Sequence, residues 1–294
     1  MRLRQLPKTR IVIAGLTCLG ALISGCKRDV PMQDAPHPRV VTLSPALTTL
    51  MFQMGLGDHV VGVTNLCVLP EGSAPRRVVG DRLSSGQNPE AIATVDPDFV
   101  LIQQDIRDFA SLKQIKPKVQ VEHFQIETLA HIGEAMERLG RIVNKPEVGR
   151  DFRSKFDSQL RGIREKYAGV ARPRVLFVMT YGDQDSAAGP GSFMQEMIEI
   201  AGGTNAVTTS GRWQSQNAES ILAMAPDHVV VLTSAQEAQA ARKHWIDLRV
   251  SPERIHIVTD NNWTIPTMRL ADLTESLGQM IHPELSAGSS KAGR

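Results

Sequence analysis

The chain has 294 residues, 41% of them hydrophobic and 22% charged, so it is long and apolar enough to bury one large core or two smaller ones. Its formal net charge of +2 comes from 33 basic and 31 acidic residues, but residues 1–25 carry four basic residues and no acidic one. Without that segment the balance is 29 basic to 31 acidic, or −2, which argues against a nucleic-acid partner.

The N-terminal segment is typical of an export signal. Basic residues extend to Arg10, and the apolar run that follows at 11–23 is shorter than the ~20 residues that a membrane-spanning helix needs. Residues 22–26 read LISGC, which resembles a bacterial lipobox. We predict a signal peptide at 1–25, lipid attachment at Cys26 and a flexible, proline-rich tether at 26–38. The alternative is an ordinary secretory signal with an incidental cysteine.

Two segments of the chain repeat. Residues 88–102 (NPEAIATVDPDFVLI) and 217–231 (NAESILAMAPDHVVV) share their Asn, Glu, Ile, Pro, Asp and Val positions. Each copy reads as a short helix with an Asn N-cap, a Pro-Asp turn and a buried strand. Upstream of them, 44–57 resembles 190–203, each a loop that leads into an amphipathic helix ending at glycine. The same order in both halves predicts two related lobes.

Apolar strand-like runs alternate with helical patterns, which predicts α/β lobes with parallel sheets. The runs lie at 40–43, 60–63, 78–79, 99–102, 119–124, 175–179, 229–232 and 255–258. Pro146 is a natural first residue for a helix to residue 168, long enough to connect two lobes. The predicted domains are therefore a first lobe at 39–145, an interlobe helix at 146–168, a second lobe at 169–285 and a disordered tail at 286–294. The alternative is that this helix packs on the first lobe alone.

Five motifs stand in a characteristic order: RVVTLSPALT at 39–48, VGVT at 61–64, NPEAI at 88–92, GPGSF at 189–193 and AGGTN at 201–205. Together they resemble the helical-backbone substrate-binding proteins of ABC importers, the family of ferric-siderophore, haem and vitamin B12 binders. The resemblance implies two Rossmann-like α/β lobes joined by one long helix, with the ligand in the cleft between them. It also implies that Glu90 and Glu219 dock into arginine pockets on the permease. The alternative is that both glutamates only complement a helix N-terminus.

Ligands of parallel α/β lobes lie at the carboxyl ends of strands, so the loops there hold the candidate site. Aromatic rings in them suit a bulky ligand, and arginines suit an anionic one, although such residues also cap cores or lie solvated on surfaces. Arg212 is a further candidate counter-charge. The predicted ligand-binding residues are Ser44, Pro45, Thr64, Asn65, Arg82, Gln104, Tyr181, Trp213, Trp263 and Arg269.

Two comparisons with the family bear on the ligand. Trp213, six residues before Glu219, matches a tryptophan of the vitamin B12 binders, whereas Ser84 stands where their first-lobe tryptophan would be. The segment before Arg269 resembles the family's Arg-Pro-Gly-Pro-Arg, but Ile265 and Met268 replace an arginine and a proline.

The predicted function is capture of a bulky metal chelate, a ferric siderophore or a corrinoid, and its delivery to an ABC permease by a monomeric, lipid-anchored, extracytoplasmic protein. No resident cofactor or metal is predicted, although the ligand can itself contain iron or cobalt. No histidine falls in a predicted cleft loop, and Cys67 alone could ligate haem or cobalt. Nucleophile elbow, phosphate loop, Rossmann and zincin motifs are missing from the sequence, which argues against an enzyme. The alternatives are a haem or bare-metal binder, an extracytoplasmic α/β enzyme and a receptor without cargo.

Overall fold

The computed structural model describes residues 36–80, 88–181 and 184–285, with residue 181 described by its backbone alone. The predicted signal peptide, Cys26, Arg82, Ser84 and the predicted tail at 286–294 lie outside these residues. None of the described helices is both long and apolar enough to cross a bilayer.

The first lobe is a parallel sheet of five strands in the order β3-β2-β1-β4-β5. The three central strands are short and apolar, and β1 is buried throughout its length, as expected for a sheet covered by helices on both faces. Its elements are β1 (Val40–Thr42), α1 (Pro45–Gln53), β2 (Val60–Thr64), β3 (Arg77–Gly80), α2 (Pro89–Thr94), β4 (Phe99–Ile102), α3 (Ala110–Ile115), β5 (Gln120–His123) and α4 (Leu129–Ile142).

The second lobe contains a sheet in the order β11-β10-β6-β7-β9, with β8 paired to β6. Strands β10 and β11 run parallel to β6, but β7 is antiparallel to both β6 and β9. Its elements are β6 (Arg174–Tyr181), β7 (Gln184–Ala188), α6 (Phe193–Ile200), β8 (Thr204–Asn205), β9 (Trp213–Gln216), α7 (Ala218–Met224), β10 (His228–Leu232), α8 (Ala238–Asp247), β11 (Ile255–Val258) and α9 (Arg269–Ile281).

The fold class is confirmed, and all eight predicted strands are present with small shifts at their ends. The expectation that the second sheet is wholly parallel is wrong at β7, and β7 and β9 were not predicted. Both strands are rich in polar residues (QDSAA and WQSQ) and lack the apolar run by which buried strands are recognised. In β7 the buried Asp185 accepts hydrogen bonds from Thr180 and His244, at 2.6 and 2.9 Å, so tertiary partners compensate for its burial.

Helix α5 (Pro146–Lys166) connects the lobes. At its start it lies against α4, where a Cβ added to Gly149 would stand 2.6 Å from the carbonyl oxygen of Met136. Beyond its last turn, Tyr167 packs on Gly278 of α9 and its hydroxyl donates to Glu275 at 3.3 Å. Phe156, in the middle of α5, is fully buried in a core that contains residues of both lobes. The helix therefore packs on both lobes and not on the first alone.

Candidate functional site

Helices α2 and α7 present one glutamate each in the same way. The side chain of Asn88 accepts a hydrogen bond from the backbone N–H of Ala91, and that of Asn217 accepts one from Ser220, both at 2.8 Å. Such caps satisfy backbone donors at the helix N-terminus. In both helices the second residue is the predicted docking glutamate, and both are exposed.

A second pair of contacts fixes each of these helices to its sheet. In the first lobe the carboxylate of Asp98 accepts from the backbone N–H of Arg39 at 2.7 Å, while the Arg39 guanidinium donates to the carbonyl of Val95 at 2.9 Å. In the second lobe Asp227 accepts from the backbone N–H of Arg174 at 2.8 Å, and the Arg174 side chain donates to the last carbonyl of α7 at 3.1 Å. The sequence repeat is thus a repeat of side-chain contacts.

The carboxyl ends of β1 and β4 form a polar edge on the first lobe. Ser44, the N-cap of α1, donates to the side-chain carbonyl of Gln103. Gln104 folds over the same edge, where its amide donates to the carbonyl of Leu43 at 3.3 Å and its oxygen accepts from Gln103. Because β1 and β4 are neighbours, the structure brings Ser44 and Gln104 together, as the strand-end argument predicts.

The loop after β2 lies beside this edge. The Sγ of Cys67 is 3.0 Å from the Thr48 hydroxyl and 3.2 Å from the Thr64 hydroxyl. Thr64 is 7% exposed, so its side chain supports the loop more than it faces outward, whereas Asn65 is exposed. Pro45 begins α1 and is half-buried.

Two apolar residues in the same loop were not among the predicted site residues. Val68 is 84% exposed and Leu66 is 41% exposed, next to the polar edge. Contiguous apolar patches on a protein surface often mark binding sites, whereas single exposed apolar residues are common. They are recognised only by their exposure in the structure, because an exposed apolar loop and a buried one look the same in the sequence.

The predicted aromatic residues of the second lobe have different surroundings. Phe177 of β6 lies between Trp213, in edge contact at 6.3 Å, and Trp263, stacked at 5.8 Å between ring centroids. Trp213 begins strand β9 and does not lie in a loop, and it is partly exposed. Trp263 is 3% exposed and belongs to the core, so the structure does not bring it to an accessible surface. The side chain of Tyr181 lies outside the described part.

The two described arginine candidates each have an acidic partner. Arg212 pairs with Glu127 of the first lobe at 2.6 Å, and Arg269 pairs with Asp260 at 3.2 Å. These carboxylates neutralise the guanidinium groups that were expected to meet an anionic ligand. Arg82, the third candidate, lies outside the described residues.

The Glu127–Arg212 pair also locates Trp213. Glu127 stands between the end of β5 and the start of α4, on the side of the first sheet where the strands end. Arg212 immediately precedes Trp213, so the chain adjacent to this partly exposed ring contacts the first lobe. Nowhere among residues 36–80, 88–181 and 184–285 do three His, Cys, Asp or Glu side chains gather in a group able to hold a metal ion.

Comparison with known proteins agrees with this arrangement. Residues 40–247 match the periplasmic binding protein family. The ABC transporter substrate-binding lipoprotein YvrC of Bacillus subtilis (strain 168) is 25% identical over 87% of this chain and 83% of its own length. The vitamin B12-binding protein of Salmonella typhi is 26% identical over 80% of this chain and 85% of its own. A periplasmic haem-binding protein from Pseudomonas aeruginosa shares the fold with a TM-score of 0.71 at 20% identity, over 84% of this chain and 93% of that one.

The chain folds into two lobes connected by helix α5, and candidate ligand-binding residues lie on both lobes. This arrangement defines a bilobal binding protein. The chain belongs to the periplasmic binding protein family. It is an extracytoplasmic substrate-binding protein of the ABC-transporter class, and its family binds ligands and is not enzymatic.

Proposed function

We propose that this protein binds a corrinoid between its lobes and delivers it to an ABC permease. We choose a corrinoid because the described arginine candidates of the site are paired with carboxylates. These two arginines are neutralised by Glu127 and Asp260. Among the described residues of the first-lobe edge, Ser44, Gln104 and Asn65 offer hydroxyl and amide groups.

A corrinoid matches that chemistry. Its corrin ring offers broad apolar faces, and its rim carries amides, which exchange hydrogen bonds with hydroxyls and carboxamides without requiring a counter-charge. The ring of Trp213 and the exposed side chains of Leu66 and Val68 supply apolar surface on the second and first lobes. Haem propionates and ferric catecholates are anionic and would need free cations. The vitamin B12-binding relative from Salmonella typhi supports the same choice.

Delivery is assigned to the two exposed glutamates. Glu90 and Glu219 occupy equivalent positions on α2 and α7, and each helix is fixed to its sheet by the same aspartate and arginine contacts. Rigid presentation of two carboxylates suits a partner with two arginine sites. In this proposal the protein acts as a monomer and is held at the membrane by lipid on Cys26.

The test is a titration of the chain from residue 27 onward with cyanocobalamin, haem and a ferric catecholate. Of the three tryptophans, Trp245 is fully buried and Trp263 is 3% exposed, so quenching should come from Trp213. We expect saturable quenching by cyanocobalamin, confirmed by calorimetry, and loss of most of that quenching in Trp213→Phe. If haem or the ferric chelate bound more tightly than cyanocobalamin, the corrinoid assignment would be overturned and that ligand would be assigned to the protein instead.

A further inference from the structure

The two surfaces beside the docking glutamates are related by the repeat, but they are not equivalent. Residues Asp96 and Ala225 occupy the same place after α2 and α7, and both adopt left-handed backbone, with φ of +45° and +42°. In the first lobe the Asp96 carboxylate forms an ion pair with Lys116, which follows α3. In the second lobe Ala225 offers no carboxylate to Arg249, which follows the corresponding helix α8.

A small pocket occupies this place in the second lobe. Its volume is about 140 Å³, and its walls include Ile221, Leu222, Ala225, Leu248 and Val250 together with Arg249 and Arg254. Leu222 lies one helical turn after Glu219 and is 55% exposed, whereas its counterpart in the first lobe is Ala93. Neither arginine has a hydrogen-bond or ion-pair partner for its side chain among the described residues.

We infer that the second lobe docks through this pocket, which takes an apolar side chain of the permease with a carboxylate beside it. The inference rests on the proposed delivery to a permease and adds a contact that Glu90 and Glu219 do not provide. Two cations without partners at the rim favour an acidic neighbour, and an apolar pocket of this size fits one aliphatic side chain. The first lobe carries Ala93 and the Asp96–Lys116 ion pair in the equivalent place. The two lobes therefore make different contacts with the permease, and the protein docks in one orientation.

The repeat itself supplies the decisive variant. Leu222→Ala with Ala225→Asp gives the second lobe the residues of the first, and the new aspartate can pair with Arg249. Aspartate tolerates left-handed backbone better than most residues, so the fold should be kept. Ala223→Ser is the matched control, since Ala223 is exposed on the same helix but does not line the pocket.

The measurement is binding of the cyanocobalamin-loaded chain to the corrinoid permease of its own cell, reconstituted in nanodiscs. We expect the double variant to bind about tenfold more weakly than the wild type and the control, because it removes the apolar anchor and fills the pocket with a carboxylate that would repel an acidic neighbour. We expect Arg249→Gln with Arg254→Gln to reduce the salt dependence of binding. Cyanocobalamin affinity should stay unchanged in every variant.

Equal permease binding by the double variant and the wild type would overturn the inference alone. Absence of permease binding by the wild type would overturn the proposed delivery, and the inference with it. A monomer–dimer equilibrium in sedimentation that the double variant abolishes would assign the pocket to a second copy of this chain and also overturn it. Failure of the proposed ligand is a separate result, since it would show as absence of cyanocobalamin binding by the wild type whatever the permease does.

Discussion

Glu127 and Arg212 form an ion pair between the two lobes, with their charged atoms 2.6 Å apart. A second contact lies close by, where the carboxylate of Glu196 in α6 accepts a hydrogen bond from the backbone N–H of Leu129 at 2.6 Å. Glu127 lies just before α4, and Leu129 is the first residue of that helix. The two contacts therefore fix the separation of the lobes on the side where Trp213 lies.

Glu127→Gln should free Arg212 and change ligand preference. We expect the affinity for haem, an anionic ligand, to rise by about tenfold relative to cyanocobalamin, because an unpaired guanidinium binds carboxylates well. The free energy of unfolding should fall by less than about 1 kcal/mol, since both side chains are partly solvated. Calorimetry with both ligands measures the preference.

Asp247→Asn provides the control for that experiment, because it breaks an exposed ion pair with Lys243 on α8. An unchanged ratio of haem to cyanocobalamin affinity in Glu127→Gln would show that Arg212 does not meet the ligand.

Gly149→Ala should destabilise the packing of α5 on α4. The new Cβ would lie 2.6 Å from the carbonyl oxygen of Met136 and 2.8 Å from the Cα of Glu137, and backbone atoms cannot move aside cheaply. Overpacking of this kind costs about 1–3 kcal/mol. Urea unfolding measures the loss.

Gly162→Ala is the matched control in the same helix, since no atom lies within 4 Å of its added Cβ. Alanine should gain up to about 1 kcal/mol there, because glycine is a poor helix former. Equal stability of the two variants would contradict the close contact between α4 and α5.

His228 and His256 make the second lobe sensitive to acid. Their ring nitrogens are 3.0 Å apart on β10 and β11. Burial first, and then the charges of His228 and Arg242, lower the pKa of His256 from 6.5 to about 4. Burial and Arg254 lower the pKa of His228, against a smaller opposing effect of Asp227.

In the folded state these histidines therefore bind protons at lower pH than in the unfolded chain, where their pKa is about 6.5. Stability should fall as pH drops from about 6.5 towards about 4, and the part due to His256 should level off below that. Allowing for partial solvent exposure, the loss is about 1–2 kcal/mol. Urea unfolding midpoints at pH 7 and pH 4.5 measure this loss. If His256→Leu lost as much stability between these pH values as the wild type, His256 would not be its cause.

Glu90→Ala with Glu219→Ala should abolish stimulation of the permease ATPase by the ligand-loaded protein. Cyanocobalamin affinity should not change, because both residues lie on the exposed first turns of α2 and α7. Stimulation equal to that of the wild type would contradict the docking role. The single variants should each retain part of the stimulation if the two lobes contribute independently.

Local patterns in the chain were enough to predict the repeat, the positions of eight strands, the long helix and the glutamate pair on α2 and α7. Each depends on local patterns: an Asn cap before Glu90, a Pro-Asp turn, or a continuous apolar run in a buried strand. The sequence also placed Ser44 and Gln104 at one edge, because neighbouring parallel strands end on the same side.

The charge pairing and exposure of the candidate site residues depend on packing between distant parts of the chain. Arg212 and Glu127 form an ion pair because the two lobes pack together, and the sequence around either residue does not predict this contact. Trp263 is buried on Phe177, whereas Leu66 remains exposed. Burial and charge pairing depend on which distant surfaces meet, and that depends on how whole lobes pack and not on the residues adjacent in the chain.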